Sequence, residues 1–157
     1  MRISGPEKRS RTVGDPIVRF SSFADAPQYL FVDINYMKRI NDLYGHVFGD
    51  RAITTVSDAI KRSVGDDNAI GIRYGGDEFL VIAADASEEY AEEIKRSMIG
   101  YIDRENNLGI NPFKFSISVG YVLTDPSSDR TVNDYVDEAD RLMYEIKNEY
   151  HKTHPIE

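Results

Sequence analysis

The order of apolar patterns along the chain is the feature that most restricts its fold. Residues 29–34 (YLFVDI) form a nearly continuous apolar run, typical of a strand buried on both faces. The other predicted elements are, in chain order, helices over 35–43 and about 50–64, strands over 69–73 and 79–83, a helix after Ser87, a strand over 115–121 and a helix after Thr131. With the two consecutive helices counted as one and the last helix set aside, the order is βαββαβ. This is the order of a ferredoxin-like α+β fold.

The predicted fold brings acidic residues together from distant parts of the chain. In a ferredoxin-like sheet the third strand lies antiparallel beside the first. Asp33, which ends strand one, is therefore expected next to Asp77 and Glu78, which begin strand three. We predict a central antiparallel sheet flanked by helices, with three carboxylates at one edge.

Length and composition limit the classes of protein to which the chain can belong. Its 157 residues suit one domain, expected over 16–157 after a flexible arm at 1–15. The net charge of −8 argues against a nucleic-acid-binding surface. The absence of cysteine excludes disulfides, thiolate zinc sites and thiol nucleophiles. No apolar run approaches the ~18 residues of a membrane span, so we expect no direct membrane contact.

Each acidic residue allows a structural and a functional interpretation. Asp33 can cap the following helix or bind a metal ion. Asp77 and Glu78 follow Gly75–Gly76 and can be ordinary solvated turn residues. If all three converge, they repel one another unless a divalent cation lies among them, and hard oxygen ligands favour Mg²⁺.

Two longer motifs carry a resemblance to a known family. Residues 73–79 (RYGGDEF) contain the pentapeptide GGDEF, and residues 31–50 (FVDINYMKRINDLYGHVFGD) are similar to a pattern of the form DID-x-FK-x-IND-x-YGH-x-x-GD. The chain resembles GGDEF domains, the catalytic domains of bacterial diguanylate cyclases, over roughly residues 28–148. The resemblance implies a palm-type, nucleotidyl-cyclase-like sheet. It also implies condensation of two GTP into cyclic di-GMP, with release of two pyrophosphates, by two domains facing each other about a two-fold axis.

The resemblance also implies roles for individual residues. The implied metal ligands, for two Mg²⁺ or Mn²⁺ ions per site, are Asp33, the main-chain carbonyl of Ile34 and Asp77. The implied catalytic residues are Asp77, which activates the ribose 3′-hydroxyl, Glu78, which supports the metal shell, and Lys38. The implied GTP-binding residues are Asn41 and Asp50 at the guanine edge, His46 in the loop between the helices, and Lys38 and Lys147 at the phosphates. Alternatively, His46 is satisfied by loop carbonyls, and each lysine is a solvated surface charge.

Four positions depart from the family pattern. Asn35 replaces the second Asp of DID, and His151 stands where the family often has Arg. Residues 66–69 (DDNA) replace the inhibitory RxxD motif, so product inhibition through that site is not expected. No DxLTGLxNR segment is found before the first strand; either the chain begins inside the domain or it diverges there.

The expected partners are GTP, a second copy of the domain in a transient homodimer, and a sensory or dimerising domain of a longer parent chain. A cytoplasmic location is expected, with the parent protein free to be membrane-anchored. One alternative is a catalytically inactive GGDEF-like domain that binds GTP or a partner as a regulatory module. Another is a two-metal nucleotidyl cyclase for a different nucleotide, although Asp50, if buried, should reject ATP.

Overall fold

The structure, a computed structural model, describes residues 27–64, 69–84 and 87–155. Within these ranges the elements are β1 (Gln28–Ile34), α1 (Met37–Tyr44), α2 (His46–Ser63), β2 (Ala69–Arg73), β3 (Glu78–Ala83), α3 (Glu88–Asn107), β4 (Ile117–Leu123) and α4 (Val132–Thr153). The strands form one sheet in the order β2-β3-β1-β4, and all neighbours are antiparallel. The predicted ferredoxin-like α+β fold is confirmed.

The central position of β1 explains its apolar sequence. It pairs with β3 on one side and β4 on the other, and all seven of its residues are buried. Successive side chains alternate between the two faces of the sheet. Leu30 and Val32 pack in the core with α1, α2 and α3, whereas Tyr29 and Phe31 pack with α4. The sheet therefore has helices on both faces.

The junction between α1 and α2 is shorter than the sequence predicts. Only Gly45 separates the two helices, so α2 begins at His46, four residues before the expected position. Gly45 has φ 86° and ψ 163°, a conformation that only glycine adopts readily. The expectation that His46 lies in a loop is wrong, because this residue lies in the first turn of α2.

Two predicted helix starts have the expected caps. The Ser87 side chain accepts a hydrogen bond from the Tyr90 amide. Thr131 and Asp134 form a reciprocal capping box, with Asp in the place where Glu or Gln is usual. The predicted arm at 1–15 and residues 66–68 of the RxxD position lie outside the described residues. None of the helices in the described ranges combines the length and the apolar composition that a membrane span requires.

Helix α4 docks on the sheet through direct backbone contact at Gly120 in β4. A Cβ at this position would lie 2.2 Å from the Met143 amide nitrogen and 2.6 Å from the Ala139 carbonyl oxygen. Real Cβ atoms do not approach other atoms so closely, so α4 reaches the sheet only because residue 120 has no side chain.

We predict that Gly120→Ala will destabilise the fold because α4 must move away from β4. The free energy of unfolding, measured by urea denaturation, should fall by about 2 kcal/mol or more. Gly100→Ala is the matched control, since a Cβ at this exposed site in α3 meets no described atom within 4 Å. The control should gain up to about 1 kcal/mol from helix propensity. Equal stability of the two variants would contradict the close packing at Gly120.

Candidate functional site

Strand pairing places the three acidic residues at one edge of the sheet. Asp33 is the direct partner of Glu78 in the β1–β3 ladder, and the Ile34 amide donates to the Asp77 carbonyl over 3.2 Å. Asp33 is almost fully buried, with 3% of its surface exposed. The juxtaposition that strand order predicts is therefore present.

The buried carboxylate of Asp33 has one cationic partner within the described residues. The Lys147 ammonium, from α4, lies 2.7 Å from Asp33 Oδ1. Burial nevertheless raises the pKa of Asp33 to about 6, with Lys147 opposing this rise and the charges of Asp77 and Glu78 adding to it. Burial, followed by the charges of Asp140 and Asp77, also raises the pKa of Glu78. Negative charge at this edge thus exceeds what one lysine neutralises.

The glycine turn before β3 is held by hydrogen bonds at both ends. The amides of Tyr74 and Gly75 both donate to the Glu78 carbonyl, at 2.9 and 3.2 Å. The Arg73 guanidinium donates twice to the Gly76 carbonyl, from Nε at 3.1 Å and Nη2 at 2.7 Å. Arg73 is not among the site residues predicted from the sequence. Its position at the end of β2, two residues before the glycine pair, is the signal that could have identified it.

Helix α1 presents Asn41 through a close contact with α2. A Cβ at Gly49 would lie 2.0 Å from Asn41 Oδ1, so a larger residue at position 49 would displace the Asn41 side chain. Asn41 Oδ1 is buried and has no hydrogen-bond partner among the described residues. A buried amide oxygen without a partner costs free energy, and a donor group on a bound molecule would remove this cost.

Two adjoining clefts connect these residues. One, of about 450 Å³, is lined by Met37, Lys38, Asn41, Asp42, His46, Asp50, Ile53, Arg73, Gly76 and Asp77. The other, of about 700 Å³, is lined by Tyr36, Lys38, Arg39, Asp42, Leu43, Asp77, Lys147 and His151. Both volumes are typical of small-molecule sites. Lys38, Asp42 and Asp77 line both clefts and mark their junction.

The clefts separate the candidate residues into two groups. Asn41, His46 and Asp50 lie at one end, and Lys147 lies at the other. Neither cleft is lined by Asp33, Ile34 or Glu78, which lie at the adjoining sheet edge. Asp50 is exposed, so the burial on which strong rejection of ATP would depend is not present in this structure.

The donor atoms suit a hard cation, although they do not enclose a metal position. Among residues 27–64, 69–84 and 87–155, no group of three or more His, Asp or Glu side chains is arranged to hold a metal ion. One Asp33 oxygen is engaged by Lys147. Carboxylates with raised pKa values and excess negative charge fit Mg²⁺, provided that Lys147 moves from Asp33.

The fold and the motifs at its sheet edge define a domain of the GGDEF type. The family model of the diguanylate cyclase GGDEF domain matches residues 24–153, and the chain belongs to this family. The family is one of nucleotidyltransferase-type cyclases.

Individual relatives support this assignment. Diguanylate cyclase VdcA of Vibrio cholerae is 30% identical over 125 residues, covering 76% of this chain and 35% of VdcA. The cyclic di-GMP phosphodiesterase PdeR of Escherichia coli is 34% identical over 119 residues, covering 75% of this chain and 18% of PdeR. The solved GGDEF domain of YfiN (TpbB) from Pseudomonas aeruginosa superposes with a TM-score of 0.67 at 28% identity, covering 80% of this chain and 78% of that one. The match thus spans about a third of the length of VdcA and less than a fifth of the length of PdeR.

We predict that Asp33 makes folding stability fall as the pH rises. Burial raises its folded-state pKa to about 6, so the folded chain holds this proton more tightly than the unfolded chain. The resulting stability is present below an unfolded pKa of ~4 and is lost as the pH rises through about 6. The Asp33→Asn variant has no carboxyl group to titrate. Between pH 4 and 7, its free energy of unfolding should therefore fall less than that of wild type, and the difference should be on the order of 1–3 kcal/mol.

Urea denaturation at several pH values measures this difference. Asp103→Asn, an exposed substitution in α3, is the control and should follow the wild-type pH profile. If wild type instead gained stability relative to Asp33→Asn as the pH rose, the attraction of Lys147 would outweigh burial.

Proposed function

We propose that this domain condenses two GTP molecules into cyclic di-GMP and releases two pyrophosphates. The observation that carries the proposal is the pair of joined clefts, with amide and carboxylate groups at one end and Lys147 at the other. Asp77 lies at their junction, beside the buried carboxylate of Asp33. A guanine base, a ribose and a triphosphate placed along the clefts would meet these groups in that order.

Asn41 and Asp50 would read the guanine edge. The Asp50 carboxylate can accept hydrogen bonds from guanine N1–H and N2–H, whereas adenine offers no donor at N1. The Asn41 amide nitrogen can donate to a guanine acceptor, and Gly49 leaves room for this side chain. His46, in the first turn of α2, would contact the substrate at the same end of the cleft.

Lys38 and Lys147 would bind the phosphates at the other end. Both line the larger cleft, and Lys38 lies in the first turn of α1, where free amides also favour anions. Asp33, the Ile34 carbonyl and Asp77, supported by Glu78, would hold two Mg²⁺ or Mn²⁺ ions. When bound, these ions would offset the phosphate charge and lower the pKa of the attacking hydroxyl. Lys147 would then leave Asp33 for the phosphates.

Asp77 would accept the proton from the ribose 3′-hydroxyl. As each 3′-oxygen forms a bond to the α-phosphorus of the other GTP, the bond from that phosphorus to pyrophosphate breaks. The hydroxyl of one GTP must reach the other, so two copies of the domain would face each other about a two-fold axis. A sensory or dimerising region of a parent chain would bring these copies together.

A regulatory module that binds GTP without turnover is the second candidate. The similarity to PdeR, which is a phosphodiesterase, and the histidine at position 151 favour it. A module of this kind should show a GTP-dependent rise in melting temperature and form no product. A cyclase for another nucleotide is a third candidate, which competition among nucleotides would test.

We predict that Asp77→Asn will lower cyclic di-GMP formation at least about 100-fold, because the group that accepts the 3′-hydroxyl proton is lost. The assay is incubation of a dimeriser-fused domain with GTP and Mg²⁺ or Mn²⁺, with mass spectrometry of the product. Melting temperature should change little, since Asp77 is part-exposed. The Asp103→Asn variant should keep full activity. If the fused wild-type domain forms no product, the cyclase proposal fails.

We predict that Gly49→Ala will weaken GTP binding about tenfold by displacing Asn41, the loss expected for one hydrogen bond to the base. Isothermal titration with a non-hydrolysable GTP analogue measures the change. Gly100→Ala, also a helical glycine substitution, should bind as wild type does. Unchanged affinity in Gly49→Ala would show that the position of Asn41 does not matter for the base.

A further inference from the structure

The C-terminal part of α4 extends beyond the residues that pack in the hydrophobic core. The buried residues in α4 are Tyr135, Val136, Ala139 and Met143. The helix continues through residues 144–153, a further length of about 15 Å, without another buried residue. Lys147 and His151, which line the larger cleft, lie on this extension.

Tyr36, at the N-cap of α1, contacts the end of this extension through both its hydroxyl and its ring. Its hydroxyl donates to the His154 carbonyl at 2.6 Å. Its ring stacks on His151, with centroids 4.0 Å apart and 12° between the planes. The hydroxyl therefore binds the C-cap of α4 while the ring supports a side chain at the cleft.

The backbone of Tyr36 is in an unfavourable conformation. With φ 56° and ψ 31°, it is the one non-glycine residue at positive φ among those described. A left-handed conformation is unfavourable for a non-glycine residue because its Cβ crowds the backbone. Such strain persists where surrounding contacts compensate for it, and here those contacts are with α4.

The ion pair between Lys147 and Asp33 also holds the extension. A cation bound at Asp33 would compete with Lys147 for the same carboxylate oxygen. The Tyr36 contacts do not involve Asp33, so they remain when Lys147 leaves it.

We propose that Tyr36 is a positioning residue for the triphosphate. It holds the last turns of α4 against the start of α1, so that Lys147 and His151 stay at the cleft after Lys147 has released Asp33. This inference rests on the proposed binding of GTP, but it does not require that GTP be converted to cyclic di-GMP.

Two variants separate the contributions of the ring and the hydroxyl. Tyr36→Phe keeps the stacking on His151 and removes the hydrogen bond to His154. Tyr36→Asn removes the ring but tolerates a left-handed backbone, so it is expected to fold. Tyr144→Asn is the matched control, because Tyr144 lies exposed on the same extension and lines neither cleft.

Titration calorimetry with a non-hydrolysable GTP analogue and with GMP, both with Mg²⁺, tests the role. Tyr36→Asn should weaken binding of the triphosphate at least tenfold and binding of GMP less than twofold. Tyr36→Phe should weaken triphosphate binding about threefold, and Tyr144→Asn should match wild type. A purely structural role would weaken GMP and the triphosphate equally, and that result would overturn the inference.

Hydrogen exchange without nucleotide is the second measurement. Amides in residues 148–153 should exchange at least tenfold faster in Tyr36→Asn than in wild type or Tyr144→Asn. Unchanged exchange would overturn the inference, even if nucleotide binding were lost. If wild type binds the GTP analogue but forms no cyclic di-GMP, the cyclase proposal fails while the Tyr36 result stands.

Discussion

A buried carboxylate at the end of a central strand is the constraint on which the site depends. Asp33 lies between β3 and β4, where water can hydrate it little, and an isolated charge there is costly. The fold meets this cost with Lys147, a residue 114 positions away in the last helix. The first strand and the last helix are therefore joined at the place where the candidate substrate and metal residues meet. Exchange of this lysine for a metal ion would couple metal binding to phosphate binding.

The sequence predicts the parts of the site that follow from periodicity and strand order. Asp33 falls beside Asp77 and Glu78 because a ferredoxin-like sheet places its third strand antiparallel beside its first. The start of α2 could not be predicted so well, because a single glycine at positive φ lets two helices meet without a loop. Arg73 bonds to Gly76 only three positions away, so its place before the glycine pair could have identified it. The contacts of Tyr36 were missed because they join distant parts of the chain, which local patterns do not encode. Tyr36 and the carbonyl of His154 are separated by 118 positions.

The same domain type occurs in relatives with opposite named activities. VdcA is a diguanylate cyclase and PdeR is a cyclic di-GMP phosphodiesterase, and the chain matches 35% of one and 18% of the other. Similarity to this domain type is therefore found in whole proteins of both named activities. The groups at the clefts bear directly on the question of what this domain does: the proposed synthesis would need Asp77 and a second copy of the domain, whereas regulation would need only a nucleotide-binding cleft.

The one-residue junction at Gly45 sets a strict limit on insertions and deletions in this part of the chain. Asn41 and Asp50 lie on separate helices, and their relative direction depends on the number of residues between them. One inserted residue that extended α1 would turn α2 by about 100° about the helix axis. Such a change would carry the carboxylate of Asp50 away from the cleft while leaving both helices intact. Natural variation in length should therefore fall elsewhere, where a turn can absorb it.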